Sequence, residues 1–229
     1  PAAPPAGGEA SGDEYRSVAI PYLTTRQRQA GGNGAAAYDG RRGAPHGGRC
    51  TVEVRPIPML QAIPEQLPFY MPRVSETVGA AEVLDEAALW DEIQAGAGST
   101  TTGSVVVFVH GYANDFEKNC RMAARLQLSL TGAAQVVLFS WPSNGSPTRY
   151  VEDVANLEWS VPQLARTIAE LGRLLGPSKV QLLAHSLGSR GAIFALARLG
   201  CERRTRPLVE RLVLVAADFD SALFQATLP

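Results

Sequence analysis

Four short apolar runs stand out in the second half of the chain, at residues 104–109, 135–140, 179–184 and 211–217. Each is dominated by valine, leucine and other apolar side chains, without polar alternation. Such runs predict strands buried on both faces. The segments between them follow a different period. Leu157, Val161, Leu164, Ile168, Leu171 and Leu175 are spaced by four, three, four, three and four residues, which places them on one face of an amphipathic helix. Pro162 falls inside this pattern and predicts a kink or a helix start nearby. Val83, Leu84, Ala87, Ala88 and Trp90 predict a helix over 80–94. Asn114 and Glu117 match a capping box for a helix running to about Leu130. A further helix, to about Leu199, follows the third apolar run. Strands alternating with helices predict an α/β class: a mostly parallel sheet with helices on both faces, joined by right-handed crossovers.

The first part of the chain is less regular. Residues 1–14 are rich in Pro, Ala and Gly and read as a disordered leader. Residues 15–79 read as an N-terminal extension, with short β-like stretches at 17–23 and 51–57. Residues 30–49, rich in Gly and Arg, read as loop. Pro56, Pro58, Pro64, Pro68 and Pro72 argue against a long helix or central strand over 56–79. Residues 80–229 then form the core unit.

Composition narrows the function classes. The 229 residues are 45% hydrophobic and 19% charged, as in globular domains, with a formal net charge of -1. That balance gives no reason to expect a nucleic-acid or acidic-membrane partner. The arginine clusters at Arg41, Arg42 and Arg49 and at Arg203, Arg204 and Arg206 read as solvated surface. No apolar stretch reaches the length of a transmembrane helix. Cys50, Cys120 and Cys201 are far apart, odd in number and without metal or disulfide spacing; Cys120 reads as a small buried hydrophobe. The chain opens on Pro1, which a processed precursor and a trimmed chain explain equally well.

Candidate chemistry sits at the ends of the apolar runs. Residues 180–188 read Val-Gln-Leu-Leu-Ala-His-Ser-Leu-Gly. Small residues two positions either side of a serine, between a strand and a helix, predict a nucleophile elbow. Ala184 stands where glycine is usual, adding one methyl group. Ser186 is the candidate nucleophile; its plainer reading is an N-cap at a strand–helix turn. The first buried run ends in His110-Gly111. In a parallel sheet, sites gather beyond the carboxyl ends of the strands, and His110, Trp141, Ser186 and Asp218 all fall there.

These residues resemble an α/β-hydrolase, specifically a bacterial esterase/lipase-like family of unknown function. The resemblance rests on Phe108 to Glu117, Leu138 to Ser143, Ala184 to Arg190 and Ala216 to Phe224, with weaker similarity at Pro21 to Arg26 and Gly47 to Cys50. It implies an α/β-hydrolase fold, Ser186 as nucleophile, and the backbone amides of Tyr112 and Leu187 as oxyanion donors. The implied triad order is serine, acid, histidine. The chain has three histidines, His46, His110 and His185, and none follows Ser186. Members of the family continue into strands carrying an acid and a histidine, so the expectation is a C-terminally incomplete core.

The remaining candidates carry two readings each. Asp218 is a tentative triad acid or the cap of residues 219–225, and Asp220 shares that ambiguity. His110 and Trp141 are candidate pocket residues, with Tyr112 beside them; the alternative is packing above the sheet, and for His110 a structural role in orienting the oxyanion loop. His185 reads as a hydrogen-bonded core position. The expected activity is carboxylic ester hydrolysis through an acyl-enzyme on a small ester or acyl substrate, with no metal or organic cofactor. The alternatives are a non-catalytic binding or scaffold domain and an acyltransferase.

Overall fold

The computed structural model describes residues 16–32, 34–57, 74–202 and 207–227. The proposed leader, the prolines from Pro58 to Pro72 and the Arg203–Arg206 cluster lie outside them. Strands β1 (Arg16–Arg28), β2 (Tyr38–Pro56) and β3 (Val74–Leu84) come first, followed by α1 (Glu86–Gly98), β4 (Val105–Val109) and α2 (Phe116–Ser129). Then come β5 (Gln135–Ser140), α3 (Tyr150–Leu175), β6 (Val180–His185), α4 (Gly188–Glu202), β7 (Arg211–Val215) and α5 (Ser221–Thr227). All seven strands form one sheet, in the order β3-β2-β1-β5-β4-β6-β7. From β1 to β7 every neighbouring pair is parallel; β1–β2 and β2–β3 are antiparallel.

The central strands are largely apolar because each face has a helix layer to meet. Val105, Val107 and Val109 of β4 pack toward Leu157, Leu164, Ile168 and Leu171 of α3 and Leu89 and Ile93 of α1. Phe108, Val136 and Leu138 face the opposite way, onto Phe116, Cys120, Ala123 and Ala124 of α2. This alternation follows from the two-residue period of a strand. At the far edge, β7 turns Leu212 and Leu214 toward the first core, while Val213 and Val215 remain 37% and 43% exposed. Among the described residues no helix is long and apolar enough to cross a membrane.

The first third of the chain departs from the pattern-based expectation. Residues 80–84 belong to β3, not to a helix, and α1 begins only after the N-cap Asp85, whose side chain accepts from Ala88 N. Most of 30–49 is strand, not loop: β2 pairs with β1 from Tyr38 onward and with β3 from Gly47. Its glycines mark close approach. A Cβ on Gly48 would land on the Glu82 carbonyl oxygen and 2.7 Å from the Tyr22 hydroxyl. The prolines argued against a central strand over 56–79, and the strand found at 74–79 is part of β3, at the edge of the sheet. The N-cap of α2 is Asp115, not Asn114; its carboxylate accepts from Lys118 N at 2.7 Å. Helix α3 starts at Tyr150 and runs through Pro162, so no new helix starts there.

Cys50 and Cys120 form a disulfide between β2 and α2, where the spacing had shown no disulfide framework; Cys120 is buried, as read, but bonded. The bond spans a sequence separation of 70 residues. Closing a loop of that size in the unfolded chain stabilises the fold by about 4 kcal/mol on a chain-entropy basis.

Candidate active site

The chain leaves β6 at His185 and enters α4 at Gly188, so Ser186 occupies a two-residue turn at the carboxyl end of a central strand. Its φ is +51°, a left-handed conformation that costs a non-glycine residue about 1–2 kcal/mol. Neighbouring backbone holds it there. Ser186 N donates to Val215 O at 2.9 Å, and Ser186 O accepts from Ser189 N at 3.0 Å and Asp218 N at 3.2 Å. The small residues around it now have a cause. Ala184 is fully buried and sits opposite Val109 of β4. A Cβ on Gly188 would land on the His110 carbonyl oxygen and 2.7 Å from that of Val109. One on Gly111 would lie 2.9 Å from His185 Nδ1 and 3.0 Å from Ser186 Cβ. The loop after β4 and the turn after β6 therefore touch backbone to backbone.

That contact places Gly111, the residue before Tyr112, against Ser186. Among the described residues, neither the Tyr112 nor the Leu187 amide is engaged by a backbone acceptor. The next residue, Ala113, has φ +55°. Its amide donates to Asp153 Oδ2 at 3.1 Å. Asp153 projects from the first turn of α3, is fully buried, and also accepts from the Ser143 hydroxyl and from Asn144 N at 2.9 Å. On the other side lies Arg26 of β1, only 1% exposed. Its guanidinium donates to Asn114 O and Ser143 O, both at 2.8 Å, to Asp39 O at 3.2 Å and to Ser140 Oγ at 2.9 Å. Burial pulls its pKa down to about 10, opposed by the charges of Asp115, Asp153 and Asp39, so it stays charged near neutral pH. Sequence reasoning singled out neither Arg26 nor Asp153. The available signal for Asp153 was an aspartate on the apolar side of a helix; Arg26, between Thr25 and Gln27, gave none.

The histidines separate into three environments. His110 is fully buried, with Nδ1 2.7 Å from Gly111 O and Nε2 3.2 Å from Trp141 O. Its ring stacks on Trp141 at 4.8 Å, and Trp141 Nε1 donates to His110 O at 2.8 Å. Both residues are fully buried and stacked on each other beneath the loop after β4. His46 lies on β2, bonded to Ala44 O and Tyr38 Oη. It is four strands away from β6 in the sheet order, about 19 Å at ordinary strand spacing. His185 precedes Ser186, and its Nδ1 is buried without a partner. Among the described residues, no histidine nitrogen bonds to Ser186.

Burial, reinforced by the charge of Arg26, holds His110 well below the usual histidine pKa. It stays neutral in the fold while the unfolded chain protonates near 6.5. Its contribution is thus fully present above about pH 6.5 and is lost as pH falls below that, at up to about 1.4 kcal/mol per unit. Urea unfolding at pH 7.5 and 5.5 should show this loss, and His110→Asn should flatten the difference. An equal difference in the variant would assign the loss to other groups.

Asp218 lies past the end of β7, beside the elbow, and is exposed. Its carboxylate accepts from the Tyr150 hydroxyl, a bond that raises the tyrosine pKa. Tyr150 in turn meets Tyr112 edge-on at 5.3 Å. Asp218 does not cap α5; Asp220 does, accepting from Leu223 N at 2.8 Å. A groove of about 740 Å³ lies elsewhere, between α1 and α3 with Leu23, His46, Leu89 and Trp90 in its walls. None of its walls carries an elbow residue, so cavity size does not point to the chemistry here. Among the described residues, no cluster of three or more His, Cys, Asp or Glu is arranged to hold a metal ion.

Neither a curated protein nor a solved structure matches the chain. One family does, over residues 85–228, described as "Alpha/beta hydrolase of unknown function (DUF900)". The match covers the strands, loops and helices that build the elbow and the loop beside it, and the chain belongs to this family of α/β-hydrolases.

Proposed function

We propose that the chain carries the nucleophile and oxyanion site of a serine hydrolase acting on carboxylic esters. The observation that supports this most directly is Ser186 at φ +51° on a turn in contact with Gly111. A strained serine held by surrounding hydrogen bonds is a feature of a site that must present its hydroxyl. In the reaction, Ser186 Oγ attacks the ester carbonyl as its proton passes to a base. The carbonyl oxygen becomes an oxyanion, received by the amides of Tyr112 and Leu187, each donor worth up to about 3–4 kcal/mol. Collapse expels the alcohol, which takes up a proton, and leaves an acyl-enzyme. Water then attacks the acyl carbon and releases the acid.

Tyr150 and Asp218 stand close to this path, and their hydrogen bond leaves the carboxylate without a histidine partner. That observation favours a second reading, a hydrolase-like domain that binds without turnover. A fluorophosphonate separates the two. Slow but stoichiometric labelling over hours at pH 9, lost in Ser186→Ala, is expected for the first reading. It needs only a presented hydroxyl and oxyanion donors. Absence of Ser186-dependent labelling in the folded protein would support the second.

A further inference from the structure

We propose that Asp153 and Arg26 are positioning residues for the oxyanion loop: together they clamp residues 113 and 114 and thereby aim the Tyr112 amide. The inference rests on the serine-hydrolase reading above for its chemical consequence, and on geometry alone for the clamp. The loop is held from both sides of its backbone. Asp153 takes the Ala113 N–H, and Ser143 Oγ, itself donating to Asp153, takes the Asn114 N–H at 3.1 Å. Arg26 takes the Asn114 carbonyl from the other side, and the Ser143 carbonyl as well. The two charges are not in contact; Ser143 lies between them and bonds to both.

The arrangement is more than generic core packing in three respects. First, both charges are buried, which is costly unless each is fully hydrogen-bonded. Arg26 makes four such bonds and Asp153 receives donors from Ala113, Ser143 and Asn144. Second, the segments they tie together meet at one end of the sheet: the loops after β4 and β5, the end of β1 and the start of β2. Third, the clamp grips the left-handed residue, Ala113 at φ +55°. Releasing that residue toward ordinary φ would rotate the peptide on its N-terminal side, which carries the Tyr112 carbonyl, and shift the neighbouring Tyr112 amide. Neither residue touches the reacting atoms, so neither is a catalytic residue.

The test compares Asp153→Asn and Arg26→Lys with the unaltered chain, each checked for folding by its thermal transition. Asp153→Asn keeps size and one carbonyl acceptor but removes the charge. Two readouts are taken. Hydrogen exchange of residues 110–116 reports the clamp directly, with residues 86–98 of α1 as internal reference. The rate of fluorophosphonate labelling at Ser186 reports the oxyanion site. The expected result is exchange at least ten-fold faster in 110–116, unchanged in α1, and labelling slowed by 10²–10³-fold, the size of a lost oxyanion donor. Folded variants with unchanged loop exchange would overturn the clamp. Faster loop exchange with unchanged labelling would overturn its role in the site. If the unaltered chain itself is not labelled at Ser186, the hydrolase reading fails, while the exchange result still decides whether the loop is clamped.

Discussion

Residues 1–229 hydrolyse p-nitrophenyl acetate and butyrate no faster than their Ser186→Ala variant does: this is the expected outcome of a turnover assay. The reason lies in the three histidines. His110 has both ring nitrogens against backbone carbonyls and is held neutral by burial. His46 is bound to Tyr38 and Ala44 on a distant strand. His185 points its Nδ1 into a buried position beside Gly111. A serine hydroxyl without a base remains protonated near neutral pH. Removing one member of a serine triad lowers kcat by about 10⁴–10⁶-fold, leaving what the oxyanion site and binding supply. The same geometry permits slow labelling by a far more reactive phosphonate. Rapid, Ser186-dependent ester turnover would show that one of these histidines moves to the hydroxyl. His46→Ala, His110→Ala and His185→Ala would then identify it.

Gly188→Ala is expected to destabilise the fold by about 3 kcal/mol, the upper range for overfilling a packed interior. For a chain of this size that is a fall of about 6–12 °C in Tm. The added methyl would meet the carbonyl oxygens of His110 and Val109, which are backbone and cannot rotate away. The strain would be relieved by separating β4 from the start of α4, which also parts the Tyr112 and Leu187 amides. Fluorophosphonate labelling should therefore fall along with stability. A thermal scan showing a shift under 2 °C would mean that the two loops have slack that the contact distances deny. Gly200→Ala is a suitable control, since a Cβ there meets nothing within 4 Å.

The parts of this fold that could be read from sequence are those specified locally. Strands β4 to β7 were visible because each is a short apolar run between helical patterns. The elbow was visible because Ala184, Ser186 and Gly188 are adjacent in sequence and their steric requirement is local. The first part of β2 was hidden because its glycines mimic loop composition, while Gly43, Gly47 and Gly48 in fact allow close approach to the neighbouring strands. The helix expected at 80–94 failed at its start: Val83 and Leu84 complete β3, and the helical period begins only beyond Asp85. The Arg26–Asp153 clamp was not legible at all. Its partners lie far apart along the chain; Arg26 reaches Ser143 across 117 positions. The environment of His110 was partly legible, since its place after β4 was clear but its stacking on Trp141 depends on the loop after β5.

The cross-link between Cys50 and Cys120 has a consequence for where the protein is robust. Both cysteines are fully buried, so a reductant reaches them only when α2 lifts from β2. Once made, the bond is shielded by the structure it secures. Thiol-rich surroundings, such as a reducing cytosol, oppose its formation during folding, whereas oxidising surroundings favour it. The same 229 residues therefore yield two materials, one stapled across its sheet and one held by packing alone. The redox poise at the moment of folding selects between them, so heat tolerance becomes a record of the environment in which each molecule matured.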